Sequence, residues 1–196
     1  MLVTNDADLW ERAWSFKDHG KNYHTAFKRD HAPGFCWLHD SFGTNWRMTE
    51  VQSAIGRVAL RKVSDWVTKR RANAAVLTEA FSKLDGLRIP LPEQEIHHAY
   101  YKYYAFVRLE RLRHDWGRDR IMAAISENGV PCFSGSCSEI YLEKAFPPEW
   151  KPEGYLPVAK ELGETSLMLL VHPTLSTSDM QIVANVVTDV MKDATA

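Results

Sequence analysis

The pattern of hydrophobic and polar residues predicts one long helix in the first half of the chain. From Thr49 to Leu84, apolar residues recur at the spacing of one face of an α-helix, and this stripe comprises Val51, Ile55, Val58, Val63 and Trp66. Asp85-Gly86 and the prolines at 90 and 92 end the pattern. A helix of this length typically bridges two bodies or packs against a partner, so we expect its stripe to be covered.

The residues after this helix predict a small α+β domain. In chain order, the pattern predicts a strand over 99–109, a helix over 118–128 closed by Gly129, a strand over 130–133, a strand over 166–171, and a final helix capped by Ser176 or Ser178. This order fits a small, mostly antiparallel sheet with helices on one side. The fold class is therefore α/β, with an α+β C-terminal domain.

The residues before the long helix have a different character. Met1 to Thr4 predict the end of a strand, and Asn5 or Asp6 is placed to cap a helix that ends near Gly20. Residues 20–45 carry Gly, Pro, Asn and His without a clear period, which predicts a long loop. We therefore expect two parts, residues 1–45 and residues 46–196.

Composition and charge exclude several classes of function. The chain has 196 residues, 45% hydrophobic and 25% charged, which is typical of a globular domain. Its net charge of -1 gives no reason to expect nucleic acid or an anionic membrane as a partner. No apolar run is long enough to span a bilayer, and the acidic start does not resemble a signal peptide. The sparse cysteines, Cys36, Cys132 and Cys137, favour the reducing cytoplasm.

The segment from Phe42 to Gly56 carries the candidate chemistry of this region. Thr49 and Gln52 have the spacing of a capping box, in which each side chain bonds the backbone N–H of the other residue. The positive end of the helix that follows suits an anion such as phosphate. Just ahead lie Asn45, an amide donor, and Arg47, a fixed cation. Alternatively, Asn45 serves a turn and Arg47 forms a salt bridge to Glu50 or Asp40.

Four segments in this order resemble one known family. They are Met1-Leu-Val-Thr-Asn-Asp-Ala-Asp-Leu9, Phe16-Lys-Asp-His-Gly20, Gly43-Thr-Asn-Trp-Arg-Met48 and Arg70-Arg-Ala-Asn-Ala74. The succession resembles the DegT/DnrJ/EryC1/StrS sugar aminotransferases, which use pyridoxal 5′-phosphate (PLP). The resemblance runs from Met1 to about Val190 and matches only the C-terminal half of such an enzyme. It implies that residues 1–45 are a remnant of the large PLP-binding domain.

The resemblance also implies a function and its limits. The full-length protein is expected to be a homodimeric enzyme that transfers an amino group from glutamate to a nucleotide-linked keto-sugar, as in polysaccharide, lipopolysaccharide or antibiotic biosynthesis. In the family, the lysine that forms the Schiff base with PLP lies upstream of the segment matched by Met1. We therefore expect this chain to lack catalytic residues of its own, and to be inactive and not to retain PLP when alone.

The resemblance assigns two groups of site residues. Asn45 matches the residue that reaches the PLP phosphate of the neighbouring subunit, and Arg47 is a candidate for substrate binding. The segment 131–141 lies where family members approach the sugar nucleotide, but it lacks their usual Tyr-Pro and His. Here the candidates for sugar hydroxyls or phosphate oxygens are Ser134, Ser136, Ser138 and Tyr141. A polar turn without a ligand is the alternative interpretation.

Two other classes of function remain as alternatives to the aminotransferase. A non-catalytic dimerising module is one alternative, and a sugar-nucleotide-binding protein without PLP is another. Cys132 and Cys137 do not have the spacing of a redox pair, and no histidines follow them at zinc-finger spacing. We therefore expect no metal site.

Overall fold

The computed structural model describes residues 2–30 and 38–195 of the chain. Its contacts divide the chain into two compact units, Met1–Arg61 and Lys62–Ala196, called here the amino-terminal unit and the carboxy-terminal unit. The predicted boundary at residue 45, between a remnant of a larger domain and a small domain, stays a prediction. None of the described helices is long and apolar enough to cross a membrane.

Two short helices make up the first part of the amino-terminal unit. Helix α1 spans Ala7–Lys17, and the side chain of Asp6 caps it by accepting from the backbone N–H of Leu9 at 2.9 Å. This confirms the predicted helix and one of its two predicted caps. Helix α2 spans Tyr23–Phe27 within the segment predicted as loop. It forms because the Asn22 side chain accepts from the N–H of Thr25, a cap that supports a single turn.

The strand predicted at the start of the chain is not found in its described part. Residues 2–4 are not in a strand, and Met1 lies outside the described residues, as does Cys36. A strand forms only where a neighbouring strand takes up its backbone groups. Within the described residues of this unit, the only β-pairings are the single bridges Asp18–Asn45 and Lys21–His39.

Helix α3 spans Glu50–Phe81 and confirms the predicted long helix. Its first turn has the predicted capping box: Thr49 donates its N–H to Gln52 Oε1 at 3.0 Å, and Gln52 donates its N–H to Thr49 Oγ1 at 3.3 Å. The predicted apolar stripe is on the helix, but all five of its members are exposed. They are Val51, Ile55, Val58, Val63 and Trp66.

The carboxy-terminal unit is built on a small antiparallel sheet, as predicted, with four strands instead of the three that the pattern indicates. Its strands are β1 (Leu87–Arg88), β2 (Tyr103–Val107), β3 (Cys132–Phe133) and β4 (Ser166–Leu169), in the order β1-β2-β4-β3. Its helices are the end of α3, α4 (Arg118–Glu127), α5 (Pro157–Thr165) and α6 (Thr177–Thr195). Single 3-10 turns cover Leu109–Arg111, Ile140–Leu142 and Pro148–Trp150.

One hydrophobic core lies between this sheet and three of the helices. Alternate residues of β2 face it, and β4 is buried along its length, as expected for the central strands. The helices contribute apolar residues at helical spacing. The fully buried members include Leu77, Phe81, Ile121, Ile125, Met180, Val187 and Met191.

Two helices of this unit end or begin at the capping residues that the sequence predicts. Gly129 follows α4 with a φ of 80°, the left-handed conformation that glycine adopts most easily. Ser176 caps α6: its Oγ accepts from the N–H of Asp179 at 3.1 Å, and the Asp179 carboxylate accepts from the N–H of Ser176 at 2.7 Å. The Ser176 hydroxyl also donates to this carboxylate, at 2.6 Å. This bond first, and then the bond from the Ser176 N–H, hold the pKa of Asp179 below its ordinary value, because they stabilise the ionised carboxylate.

Candidate functional site

In the amino-terminal unit, the backbone at the end of α1 pairs with residues 44–46 through the antiparallel bridge Asp18–Asn45. This close approach is called here the crossing. The N–H of His19 donates to Thr44 O at 3.1 Å, and the N–H of Trp46 donates to Lys17 O at 3.1 Å. The approach is so close that a Cβ on Gly20, whose φ is 87°, would lie 1.8 Å from the carbonyl oxygen of Ser41. A Cβ on Gly43 would lie 2.4 Å from the backbone nitrogen of Gly20. The two glycines therefore allow the crossing that fixes residues 44–46.

Asn45 sits in this crossing with its side-chain oxygen turned toward Arg47. The oxygen accepts from the Arg47 backbone N–H at 3.4 Å and from Arg47 Nε at 3.2 Å. Because both partners are donors, the amide oxygen must face them, and the amide NH₂ group faces the other way. No described residue accepts a hydrogen bond from that NH₂ group, so its two donors are available to an acceptor such as a phosphate oxygen.

Arg47 does not form the salt bridges considered in the sequence analysis. Its Nη1 lies 3.5 Å from the carboxylate of Asp18, instead of pairing with Glu50 or Asp40. Its Nη2 lies 3.5 Å from Nε2 of His19. All three nitrogens of the guanidinium thus have a neighbour in the protein, although about half of the side chain is exposed.

In the carboxy-terminal unit, a cavity of about 540 Å³ lies beside the segment that follows β3. It brings together three of the four candidate residues of that segment, Ser134, Ser136 and Ser138. The rest of its lining carries two cations and two carboxylates. These further lining residues are Arg118, Cys137, Glu139, Leu142, Glu143, Lys144, Ala145 and Gly163. Hydroxyl groups with charges of both signs suit a ligand that carries many hydroxyl groups.

Arg118 is the residue of this cavity that the sequence analysis missed. Its Nη1 donates to Ser166 O at 3.2 Å, which ties the start of α4 to the start of β4. Its buried Nε lies 2.6 Å from the carboxylate of Asp119 but makes no hydrogen bond, because the N–H does not point at the oxygen. A cation in the first turn of a helix opposes the helix dipole. That unfavourable placement marks Arg118 as unusual in the sequence, but it does not place the residue at the cavity.

Tyr141, the fourth candidate in the segment, is buried and does not line the cavity. Its hydroxyl donates to Glu139 at 2.5 Å and accepts from the N–H of Leu156 at 3.0 Å. The bond to Glu139 raises the pKa of the Tyr141 phenol, because ionisation would place two negative charges together. In this structure the Tyr141 hydroxyl holds two parts of the chain together, so a role in substrate binding stays a prediction.

Comparison with known proteins gives these sites a family context. The sequence profile of the DegT/DnrJ/EryC1/StrS aminotransferase family matches residues 1–188, nearly the whole chain. The chain belongs to this family. The family uses PLP, and it includes aminotransferases of sugar biosynthesis. The resemblance inferred from the four sequence segments is therefore confirmed.

Relatives in the DegT/DnrJ/EryC1/StrS family are about twice as long as this chain. The chain is 26% identical to a dTDP-3-amino-3,4,6-trideoxy-alpha-D-glucose transaminase of Streptomyces venezuelae, over 89% of the chain and 41% of the relative. It is 25% identical to a GDP-perosamine synthase of Escherichia coli O157:H7, over 90% of the chain and 43% of the relative. The chain therefore spans less than half the length of these curated relatives.

A solved structure agrees with the fold. The aminotransferase from Psychrobacter cryohalolentis superposes with a TM-score of 0.90 at 49% identity, over 98% of this chain and 51% of that protein. The long helix and the antiparallel sheet thus match about half of a family member.

Two features near the crossing suit a phosphate group. The NH₂ group of Asn45 supplies two donors. Helix α3 begins five residues later; of its first-turn N–H groups, that of Gln52 donates to Thr49 in the capping box, and the others have no partner within the helix. These features suit a phosphate oxygen, and they do not supply a cation to pair with it. Among residues 2–30 and 38–195, no cluster of three His, Cys, Asp or Glu residues is arranged to hold a metal ion.

Proposed function

We propose that this chain is the C-terminal part of a PLP-dependent aminotransferase that acts on a nucleotide-linked keto-sugar. The observation that carries this proposal is the family match over residues 1–188, together with relatives whose names describe sugar-nucleotide chemistry. The whole enzyme would be a cytoplasmic homodimer with glutamate as amino donor. The chain alone would neither retain PLP nor catalyse transamination, since it spans about half of a family member.

Each candidate site has a separate task in this proposal. Asn45 donates its amide N–H groups to the PLP phosphate of a neighbouring subunit, and it holds that phosphate without taking part in proton transfer. When bound, PLP supplies the electron sink that amino-group transfer requires. The phosphate contact places the cofactor, and even a small displacement of a reacting group lowers the rate strongly.

The cavity beside β3 would take the sugar part of the substrate. Ser134, Ser136 and Ser138 supply hydroxyl groups that both donate and accept, which is what hydroxyls of a sugar require. Lys144 and Arg118 would meet the negative charge of the linked phosphates. Tyr141 would not touch the sugar itself but would hold the segment that carries Glu139 in place.

The exposed apolar surface of the amino-terminal unit supports the same proposal. Its exposed side chains include Phe16, Phe27, Phe42, Trp46, Met48, Val51 and Ile55. Large contiguous apolar surfaces on a protein usually mark an interface. We infer that the remainder of the enzyme, including the second subunit, covers this surface.

Complementation with the other half of a family enzyme tests the proposed function. The amino-terminal half of the Psychrobacter cryohalolentis aminotransferase would be produced separately and mixed with this chain and PLP. We expect the mixture to retain PLP through gel filtration and to transfer an amino group from glutamate to a nucleotide keto-sugar. Each half alone should retain none of the activity. Transamination by this chain alone, or no binding of PLP by a mixture that associates, would contradict the proposal.

A further inference from the structure

Asp18 is a buried carboxylate in a unit that buries little else. Only 7% of the residue is exposed, and among the described apolar side chains of the amino-terminal unit only Leu38 is buried as deeply. One carboxylate oxygen of Asp18 lies 3.4 Å from Lys21 Nζ and 3.5 Å from Arg47 Nη1. A carboxylate is buried at a cost that only pairing with cations offsets, so its position here requires a reason.

The reason is what Arg47, the partner of Asp18, contacts in turn. Arg47 is held by Asp18 at one end of its guanidinium, and its Nε donates to the Asn45 oxygen at 3.2 Å. The guanidinium is a rigid planar fork, so the neighbours of its two terminal nitrogens, Asp18 at Nη1 and His19 at Nη2, restrict the direction of the Nε–H. The Asp18 carboxylate therefore aims Arg47 Nε at Asn45 without touching Asn45 through its own side chain.

The backbone at Asn45 is held independently of these side chains. The bonds from His19 N–H to Thr44 O and from Trp46 N–H to Lys17 O fix residues 44–46 through main-chain atoms only. They leave the terminal torsion of the Asn45 side chain undetermined, because such torsions have broad, roughly two-fold preferences. Both bonds that turn the amide oxygen come from Arg47. One is from its backbone N–H at 3.4 Å, and the shorter one is from its side-chain Nε at 3.2 Å, which depends on how the guanidinium is held.

We propose that Asp18 is a positioning residue, which acts through Arg47 to turn the Asn45 NH₂ group toward the PLP phosphate. The proposal rests on the proposed function and extends it to a residue that does not touch the cofactor. With the amide turned the other way, its oxygen would meet the phosphate oxygens, and an acceptor facing an acceptor is repulsive. The Arg47 Nε–H, which the Asp18–Arg47 pair holds in place, opposes that orientation together with the Arg47 backbone N–H.

If the role of Asp18 were purely electrostatic, its replacement would change the affinity for phosphate in the opposite direction. Replacing Asp18 by Asn removes one negative charge beside Lys21 and Arg47, and an added net positive charge should attract a phosphate more strongly. If Asp18 acts by position, the same substitution frees Arg47, lets the Asn45 amide turn and weakens phosphate binding. The direction of the change therefore distinguishes the two explanations.

The test uses two measurements on the Asp18→Asn variant. In the chain without cofactor, ¹⁵N relaxation reports the order parameters of the Asn45 side-chain amide and of backbone residues 44–46. We expect the side-chain value to fall below about 0.6, while the backbone values stay as in the wild type. In the mixture with the Psychrobacter half, we expect PLP binding to weaken about 10-fold, the loss of one hydrogen bond to a charged group.

Two further variants guard against misfolding and simple charge effects. Arg47→Lys keeps the positive charge but removes the planar fork, so we expect the same mobility of the Asn45 amide as in Asp18→Asn. Asp8→Asn makes the same change of charge on an exposed residue of α1 that has no described contact with Arg47 or Asn45. We expect it to leave both measurements at wild-type values.

The possible results separate the two proposals. An Asn45 amide that stays ordered in Asp18→Asn, backbone order lost along with side-chain order, or tighter PLP binding would each overturn the positioning role. A mobile Asn45 amide in the wild-type chain would overturn it as well. If the associated wild-type mixture binds no PLP, the proposed function fails and the role toward PLP fails with it. The amide measurement then still decides whether Asp18 orders Asn45.

Discussion

The two ends of α3 have similar apolar patterns but very different surroundings. Near its start, Val51 and Ile55 are 71% and 66% exposed, whereas near its end Leu77 and Phe81 are completely buried. Both sets recur at helical spacing, so the sequence pattern alone does not distinguish them. The difference teaches that periodicity identifies the apolar face of a helix without identifying what covers it.

The same contrast holds between the two units. The carboxy-terminal unit closes a core around the sheet, in which Tyr103 and Phe81 rings meet at 5.9 Å. In the described part of the amino-terminal unit, aromatic rings contact one another but stay partly open to solvent, as with Trp14 and Phe27 at 5.6 Å. The carboxy-terminal unit thus closes a core of its own, whereas the described part of the amino-terminal unit leaves most of its large apolar side chains exposed.

The largest expected change in stability comes from replacing a leucine at the buried end of α3 with alanine, compared with the same replacement at an exposed leucine of α3. Leu77→Ala removes a fully buried side chain, and we expect it to lower the free energy of unfolding by about 2–5 kcal/mol. Leu60→Ala is the matched control on the same helix, where Leu60 is 72% exposed, and we expect a change within about 0.5 kcal/mol. Urea unfolding followed by circular dichroism measures both. Equal losses at the two positions would contradict the comparison.

A smaller effect is expected at the polar anchor of the buried end. Asn73 is almost fully buried, and its amide donates to the carbonyl of His172 at 3.1 Å. It also lies within 3.5 Å of the carbonyls of Val171 and Leu175. Asn73→Ala leaves buried carbonyl groups without this donor, so we expect a loss of about 1–3 kcal/mol in unfolding free energy.

The control for this substitution is an exposed asparagine in another helix. Asn185 lies on the surface of α6 and accepts only from Gln181 among the described residues. Because alanine has a higher helix propensity, Asn185→Ala should change stability by no more than about 0.5 kcal/mol. A loss at residue 73 as small as that at residue 185 would mean that the Asn73 amide is not an anchor.

The smallest expected effect is a dependence of stability on pH, which comes from a buried thiol of the same core and is absent at neutral pH. Burial raises the pKa of Cys132 to about 11 from its ordinary value of 9.0. The unfolded chain ionises this thiol at lower pH than the folded chain does. Its contribution to stability is therefore complete below pH 9 and is lost as the pH rises from 9.0 through about 11. Burial also raises the pKa of Tyr103, which adds a loss of the same sign above pH 10.

Unfolding free energies measured between pH 8 and pH 11 check this expectation. Replacing Cys132 with Ala should make the decline with pH shallower, whatever it does to stability at pH 8. Replacing Cys137, the exposed thiol, with Ser leaves Cys132 in place and should keep the wild-type decline. An unchanged slope in the Cys132→Ala variant would show that this thiol does not stay protonated in the core.

Features that depend on nearby residues could be predicted from the sequence. The capping box of Thr49 and Gln52, the helix end at Gly129 and the cap at Ser176 each involve residues within a few positions of one another. The antiparallel sheet also followed from the order of strands and helices. Local propensities and short-range hydrogen bonds determine such features.

Features that depend on distant residues could not be predicted. Asp18 and Arg47 are far apart in the chain, and the sequence analysis considered only the nearer acids Glu50 and Asp40 as alternative partners of Arg47. Arg118 reaches the cavity from a different element than the serines, and nothing in the local pattern places it there. The strand end expected over Met1 to Thr4 is absent from its described part for a related reason, since a strand requires a neighbour that local sequence does not specify.

The most direct test of the account is hydrogen exchange along α3, measured in this chain alone and after mixing with the Psychrobacter amino-terminal half. We expect amides of residues 50–61 to exchange much faster than those of residues 73–81 in the chain alone. Mixing should slow exchange in 50–61 and leave 73–81 unchanged, because only the exposed face gains a cover. If both segments exchange equally slowly before mixing, or if an associated mixture does not protect 50–61, the claim that this chain is one half of a larger enzyme is contradicted.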